Sequence, residues 1–326
     1  MADQQDTITM HAAVVNAWGE RPAYETITLP PLISSQVRIQ VLAAGLHNVV
    51  RSRASGKHYS TADTTPPHIP GIDGVGKVVG SGELAYFSAL TAPTGSFAEY
   101  INVEKKDVYP LPPDTDVDSI AVLVNPASSS WMALTTRAGI APGTPFTVAI
   151  LGATGVSGQA AVKIATAMGA TTIVTIGRNK IALQKTKEQG ATTTIELTEP
   201  LDAVDFAEAA NVDVVLDYLW GEAASRMMHN MLRQRKDRNV RLTWVEIGST
   251  AGETMMVKSE LLRRANLFVC GCGPGSWSFP QLEQQLPLLL NSLAGSGAKQ
   301  EVEARRLEDV EQAWTEKGTK RLIFKP

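Results

Sequence analysis

The sequence predicts an α/β protein with two domains, one rich in β-strands and one built on a doubly wound parallel sheet. Residues up to about 120 contain short strand-like runs that Pro and Gly interrupt. From residue 146 to residue 271, strand-like and helical runs alternate, which is typical of a parallel sheet covered by helices on both faces. We assign residues 1–122 and 274–326 to the β-rich domain and residues 123–273 to the parallel sheet.

The elements follow from local patterns. Alternating or β-branched residues predict strands in the amino-terminal part at 10–18, 36–44, 74–80 and 97–103. After a Pro-rich loop at 110–113, helical patterns cover 119–124 and 128–139. The second domain has predicted strands at 146–151, 171–176, 193–197, 212–218, 240–247 and 267–271, separated by helices at 156–168, 180–188, 223–235 and 259–266. The tail has helices at 280–293 and 308–316 and strands at 302–307 and 321–324, and we expect it to rejoin the β-rich domain.

A glycine-rich turn follows the first strand of the predicted parallel sheet. Its three glycines stand three residues apart, at the point where an apolar run passes into a helical one. Strand, tight turn and helix in this order form the unit that binds the pyrophosphate of a dinucleotide. The first glycine permits the turn, the second lets the backbone approach the phosphates, and the third lets the helix pack closely. The predicted cofactor-binding residues here are Gly152, Ala153, Thr154, Gly155, Val156, Ser157 and Gly158.

The end of the next strand indicates which dinucleotide is bound. An NAD site usually has Asp or Glu there, but this chain has Gly177, followed by Arg178 and, two residues later, Lys180. A missing carboxylate removes repulsion toward a 2′-phosphate, and a guanidinium can bind that phosphate with two hydrogen bonds. We therefore predict NADPH as the cofactor. The alternative is that Arg178 and Lys180 are ordinary solvated charges at the start of a helix.

Composition excludes several classes of protein. The 326 residues are 44% hydrophobic and 19% charged, with 30 basic against 33 acidic residues, so the net charge is −3. The sequence has no stripe of basic residues of the kind that binds nucleic acid, so we expect no nucleic-acid partner. It also has no apolar run long enough to span a membrane, so we expect no membrane partner. The polar start lacks the apolar core of a signal peptide, so we expect a cytoplasmic protein. Cys270 and Cys272 are expected to be buried strand residues, the alternative being a redox-sensing role.

Several motifs in sequence order resemble the quinone oxidoreductase branch of the medium-chain dehydrogenase/reductase superfamily. They are Pro-Gly-Ile-Asp-Gly-Val-Gly at 70–76, Gly-Ser-Phe-Ala-Glu-Tyr at 95–100, Asn-Pro at 125–126 and the cofactor turn. The resemblance implies a GroES-like β-rich catalytic domain joined to a Rossmann domain. It also implies a homodimer, paired through the last strand of the parallel sheet at 267–272.

Zinc alcohol dehydrogenases of the same superfamily bind a catalytic metal through Cys, His and Cys. In this chain the first Cys position holds His47, and the His of the Gly-His-Glu motif is replaced by Ile72 in Gly-Ile-Asp. No cysteine lies near Asn125, and residues 77–110, where the family's structural zinc lobe would lie, contain none. Because a catalytic zinc needs three protein ligands, we expect no metal.

The resemblance also points to residues around the nicotinamide and the substrate. Tyr59 stands near the position of the branch's Gly-x-Tyr, one residue later than usual, and its phenol would donate a hydrogen bond or a proton, unless it is a plain loop residue. His47 and Asn48 lie in the loop expected beside the nicotinamide, where His47 either donates a hydrogen bond or simply packs. Residues at the ends of later strands complete the predicted cofactor site, namely Asp217, Gly248, Ser249 and Gly271.

Without zinc, an already electrophilic acceptor can still be reduced by a hydride. We therefore predict an NADPH-dependent reductase that transfers a hydride to a small-molecule quinone or α,β-unsaturated carbonyl. One alternative is an enoyl-thioester reductase, which the Asn125-Pro126 motif favours. The other is an NADPH-binding regulatory or structural protein with little turnover.

Overall fold

The computed structural model describes residues 7–92, 94–295, 299–316 and 320–326. The chain divides into two units, the first formed by Met1–Asn125 with Leu293–Pro326 and the second by Pro126–Ser292. The amino-terminal part of the first unit contains the strands β1 (Ile8–Val14), β2 (Ala23–Leu29), β3 (Gln36–Gly45), β4 (Asp73–Val78), β5 (Leu84–Ser88), β6 (Tyr100–Glu104) and β7 (Val108–Pro110), and the helix α1 (Asn48–Ala54). Helix α2 (Val117–Met132) carries the chain across the unit boundary at residue 125.

The second unit is a parallel sheet with helices between its strands. Its elements are β8 (Phe146–Leu151), α3 (Val156–Met168), β9 (Ala170–Gly177), α4 (Lys180–Glu188), β10 (Thr193–Glu196), β11 (Val214–Asp217), α5 (Gly221–Gln234), β12 (Leu242–Glu246), α6 (Ser259–Arg264), β13 (Leu267–Gly271) and α7 (Phe279–Gly295). The strands lie in the order β10-β9-β8-β11-β12-β13, and every neighbouring pair is parallel. This is the order of the Rossmann fold, and it reverses direction between β8 and β11.

The tail returns to the first unit, which includes Leu293–Pro326. It contains β14 (Val302–Arg306), the short helix α8 (Val310–Ala313) and β15 (Arg321–Lys325). The strands of this unit lie in the order β14-β15-β3-β4-β5-β7, with β6 paired to β3 and a separate β1-β2 hairpin. The core of the unit joins residues from both parts of the chain, and Phe97 packs edge-on against Trp314 and Phe324.

Two boundaries differ from those predicted. Residues 274–292 belong to the second unit, because Trp131 Nε1 donates to Gln285 Oε1 (2.7 Å) and Arg137 donates to the carbonyl of Ser276 (2.7 Å). The predicted helices at 119–124 and 128–139 form one helix, α2, which runs through Pro126 and ends in a π-turn at Ala133–Arg137. Within the described ranges, no helix is both long enough and apolar enough to cross a membrane.

Candidate cofactor site and catalytic residues

The glycine turn lies at the carboxyl end of β8, beside the point where the strand order reverses. Gly152 has φ +90°, a conformation that favours glycine. The amides of Gly152 and Ala153 both donate to the carbonyl of Ile176, at 2.9 and 3.0 Å, so the turn is tied to β9. Dinucleotides bind at this crevice in doubly wound sheets.

The other two glycines of the turn have opposite surroundings. A Cβ on Gly158 would overlap the carbonyl oxygen of Gly152 and lie 2.5 Å from the Cα of Ala153, so helix α3 packs directly on the turn. A Cβ on Gly155 would meet only the Gly152 oxygen, at 3.5 Å, and Gly155 is exposed. Gly155 caps α3 without a side-chain hydrogen bond, so the first amides of the helix stay available to an anion. The turn therefore fits a pyrophosphate.

The end of β9 carries positive charge that no residue described by the structure neutralises. Gly177 is buried at the end of the strand, whereas Arg178 and Lys180 are exposed. Among the described residues, no hydrogen bond or ion pair engages the side chain of either. Asn179 lies between them and accepts a hydrogen bond from the amide of Ala182 (3.0 Å), which caps α4. This arrangement fits a 2′-phosphate.

In the first unit, His47 and Asp73 form a buried pair. His47 precedes α1 and is 2% exposed, and its Nε2 lies 3.4 Å from Oδ1 of Asp73 at the start of β4. Tyr86 donates from its hydroxyl to the other oxygen of Asp73 (3.1 Å). Burial and the charge of Asp73 hold the pKa of Tyr86 well above its ordinary value, so this hydroxyl stays protonated. His47 Nε2 and Asp73 Oδ1 face each other, and neither atom makes a hydrogen bond with a residue that the structure describes.

The donor set around His47 does not fit a catalytic zinc. Ile72, in the position of the zinc-binding His, is buried and apolar. Across the part of the chain that the structure describes, no three His, Cys, Asp or Glu side chains gather as a metal site would require.

Asn48, the predicted catalytic residue next to His47, is the first residue of α1 and is exposed.

A curated relative from Emericella nidulans, the "probable NADPH-dependent quinone reductase tdiC", is 31% identical, and the match covers 97% of this chain and 100% of the relative. The chain belongs to the medium-chain dehydrogenase/reductase superfamily, in its quinone oxidoreductase branch. This membership confirms the family prediction and the prediction of an oxidoreductase. The chain matches no protein-family model.

Solved structures of the superfamily share the fold. A quinone oxidoreductase from Pseudomonas syringae pathovar tomato superimposes with a TM-score of 0.75 at 18% identity, over 97% of this chain and 100% of that one. An NAD-dependent alcohol dehydrogenase superimposes with the same TM-score, identity and coverage. At this identity the likeness concerns the fold alone, and it confirms the predicted α/β architecture with a GroES-like and a Rossmann part.

Asp217, a predicted cofactor residue of this oxidoreductase, makes its side-chain hydrogen bonds within the protein. Its carboxylate is fully buried at the end of β11 and accepts three hydrogen bonds, from the amides of Leu219 (2.9 Å) and Trp220 (2.8 Å) and from Trp244 Nε1 (2.9 Å). Burial raises the pKa of Asp217, while these hydrogen bonds act in the opposite direction. The Asp217 side chain therefore holds the loop after β11, and its role toward the cofactor stays a prediction.

That loop carries backbone strain that the sequence does not reveal. Trp220 has φ +56°, in the left-handed region, and strained residues of this kind are often found at functional sites. The neighbouring Gly248, a predicted cofactor residue, donates its amide to the Asp217 carbonyl (3.2 Å). Ser249 follows it, exposed and with no side-chain hydrogen bond among the described residues. Gly248 and Ser249 thus remain candidates at the carboxyl edge of the sheet.

Sequence reasoning also missed Arg137, the last residue of the π-turn. Its guanidinium donates to the carbonyls of Gly271 (2.9 Å) and Ser276 (2.7 Å) and so fixes the segment that follows β13. Gly271, a predicted cofactor residue, is therefore held by a side chain from the end of α2. A π-turn shifts the helical register by one residue, and apolar periodicity alone does not reveal such a shift.

The cysteines and Tyr59 complete the predicted set. Cys270 and Cys272 are partly buried, and burial raises the pKa of both thiols, that of Cys272 to about 12. These thiols are therefore poor nucleophiles at neutral pH. The backbone of Tyr59 begins a 3-10 turn, Tyr59–Thr61, but its side chain lies outside what the structure describes. The role of Tyr59 stays a prediction.

Proposed function

We propose that this protein is an NADPH-dependent, metal-independent reductase that transfers a hydride to a quinone or an α,β-unsaturated carbonyl. The observation that carries the proposal is the glycine turn at the strand-order reversal, next to the exposed Arg178 at the end of β9. The name of the Emericella nidulans relative supports both the cofactor and the type of acceptor.

The choice of NADPH over NADH rests on the end of β9. Gly177 offers no carboxylate to the ribose hydroxyls, and the guanidinium of Arg178 is free to make charge-assisted hydrogen bonds. Lys180 adds a second positive charge at the first residue of the adjoining helix α4. Both side chains are exposed, so binding a phosphate would break no protein contact that the structure describes.

Bound NADPH would supply the hydride. The chain itself would hold the pyrophosphate on the turn from Gly152 to Gly158 and on the first amides of α3. We assign to His47 the donation of a hydrogen bond or proton to the oxygen on which negative charge develops, with Asp73, 3.4 Å from its Nε2, orienting the ring. We further assign Asn48 and Tyr59 as candidate hydrogen-bond donors to the acceptor.

Quinones and α,β-unsaturated carbonyls suit a site without a Lewis acid. Both accept a hydride readily, since the resulting charge is delocalised onto an oxygen. Unactivated alcohols and simple ketones lack this property, and the donor set around His47 does not replace a zinc ion. We therefore expect conjugated acceptors to be reduced much faster than isolated ketones.

The test is NADPH oxidation by the purified protein against quinones, enones and enoyl thioesters, with a simple ketone as the negative control. Turnover of quinones or enones supports the proposal. A strong preference for enoyl thioesters would favour the enoyl-thioester reductase instead. Tight NADPH binding without turnover of any acceptor would refute the enzymatic proposal and indicate a regulatory protein.

Arg178 allows a sharper test of the cofactor assignment. Arg178→Ala should weaken NADPH binding by about 10- to 100-fold, the range expected for a lost charge-assisted pair, and change NADH binding less than about twofold. Arg233→Ala is the matched control, because it removes an equal charge from an exposed position at the far end of α5. Equal effects of the two substitutions would contradict the assignment.

We also propose a cytoplasmic homodimer, paired through β13, one of the two edge strands of the second unit's sheet. Phe268 on this strand is 43% exposed, and the guanidinium of Arg241 lies 4.7 Å from its ring centre. An open strand edge of this kind favours pairing with a second copy. Light scattering should give twice the mass of one chain, and Phe268→Lys should give a monomer.

A further inference from the structure

We propose that Thr154 determines cofactor specificity: it occupies the place of an NAD-binding carboxylate and presents its hydroxyl, beside Arg178, to a 2′-phosphate. The proposal rests on the proposed function, because it concerns the same cofactor site. What suggests it is the contact between the turn after β8 and the end of β9.

The backbone of the turn cannot move away from β9 without breaking hydrogen bonds. Gly152 and Ala153 both donate to the Ile176 carbonyl, one residue before Gly177. On the other side of the turn, Gln159 Nε2 donates to the carbonyl of Thr154 (3.1 Å). The Gln159 side chain is held in turn by the Nε2 of Gln189 (3.3 Å). Thr154 is therefore fixed over the end of β9.

Gly177 is a glycine for a steric reason rather than a conformational one. Its φ lies outside the left-handed region, so other residues could adopt this backbone. A Cβ at this position, however, would lie 2.8 Å from Cγ2 and 3.1 Å from Oγ1 of Thr154. The distance to the Thr154 Cβ would be 3.5 Å, an ordinary contact. The outer atoms of the Thr154 side chain would therefore have to shift to make room for a side chain at residue 177.

Two consequences follow for the cofactor. A carboxylate at residue 177 would require that Thr154 shift or lose its outer atoms, so the two positions act together. Thr154 is also partly exposed, and its hydroxyl makes no hydrogen bond within the described part of the chain, so it is free to donate to a phosphate next to Arg178. One side chain would thus disfavour NADH recognition and favour NADPH.

The test is a double-mutant cycle read by calorimetric binding of NADPH and NADH. Gly177→Asp alone should weaken NADPH about 10- to 100-fold through repulsion, without improving NADH more than about threefold. In Thr154→Ala/Gly177→Asp, NADH affinity should rise about tenfold above that of Gly177→Asp, because the carboxylate now has room. Thr154→Val keeps the shape without the hydroxyl, and should weaken NADPH about 3- to 10-fold while leaving NADH unchanged.

Thermal unfolding provides a second readout that needs no cofactor. Gly177→Ala should lower the melting temperature, and adding Thr154→Ala should reverse that loss. Equal NADH gains in Gly177→Asp and the double variant, or an unchanged melting temperature in Gly177→Ala, would overturn the steric role. Unchanged NADPH affinity in Thr154→Val would overturn the hydroxyl's role. A wild-type protein that binds neither nucleotide would instead refute the proposed function itself.

Discussion

Two glycine-to-alanine substitutions in the cofactor turn should separate packing from cofactor binding. Gly158 lies inside α3, where a methyl group would overlap the Gly152 carbonyl and lie 2.5 Å from the Ala153 Cα. Overpacking typically costs about 1–3 kcal/mol, and backbone obstacles place this case near the upper end. The higher helix propensity of alanine offsets about 1 kcal/mol of this cost. We therefore expect Gly158→Ala to lower the free energy of unfolding by about 2 kcal/mol.

Gly155→Ala should behave in the opposite way. With φ −75° and ψ 166°, Gly155 adopts a conformation open to alanine, and its nearest obstacle would be 3.5 Å away. The free energy of unfolding of the Gly155→Ala variant should differ from that of the wild type by no more than about 0.5 kcal/mol. The methyl group would nevertheless stand where the backbone must approach the pyrophosphate, so NADPH affinity should fall about tenfold or more, about 1.4 kcal/mol.

The assay combines urea unfolding with calorimetric NADPH binding. Tryptophan fluorescence suits the unfolding measurement, because Trp131, Trp220, Trp244 and Trp277 all lie in the second unit. Wild-type NADPH affinity in Gly155→Ala would contradict a close approach of the pyrophosphate to this residue. Wild-type stability in Gly158→Ala would contradict the close packing of α3 on the turn.

Two further predictions concern buried polar groups. Asp217→Asn should lower the free energy of unfolding by about 2 kcal/mol, because Trp244 Nε1 would face an amide donor. NADPH affinity at low temperature should change less than about threefold. Lost NADPH binding at unchanged stability would instead support a direct role of Asp217 in cofactor binding. Burial, and secondarily the charge of Arg53, lowers the pKa of His68 to about 4 in the folded protein. Between pH 6.5, its ordinary pKa, and about pH 4, the unfolded state therefore takes up a proton that the folded state does not. Stability should therefore fall between pH 6.5 and 4, by about 1–2 kcal/mol after allowance for partial exposure. His68→Phe should remove this share of the pH dependence in urea titrations, and an unchanged profile would contradict it.

The parallel sheet was predictable because its signals are local. The helix at 180–188 and the strand at 267–271 match α4 and β13 residue for residue, since the first has a helical period and the second is a short apolar run that follows Asn266. The strand β2 has a similar alternation of exposed and less exposed residues, which the prediction overlooked. By contrast, β5 is buried along nearly its whole length, so no alternation marks it.

Features that depend on distant contacts could not be predicted. Two helices are predicted at 119–124 and 128–139, yet α2 is continuous through the buried Pro126. The three donors that occupy the Asp217 carboxylate come from the following loop and from β12. The sequence also suggested why Gly177 favours NADPH, but not that Thr154 fills the space above it. Such contacts arise only when the turn and the second strand are packed together.

The most direct test of the central claim is deuterium transfer from NADPH labelled at nicotinamide C4 to an enone, in the presence of a strong metal chelator. The account predicts that each product molecule receives one deuterium from a single face of the nicotinamide, with turnover unaffected by the chelator. A product without deuterium would contradict direct hydride transfer. Activity lost on chelation and restored by zinc would contradict metal independence.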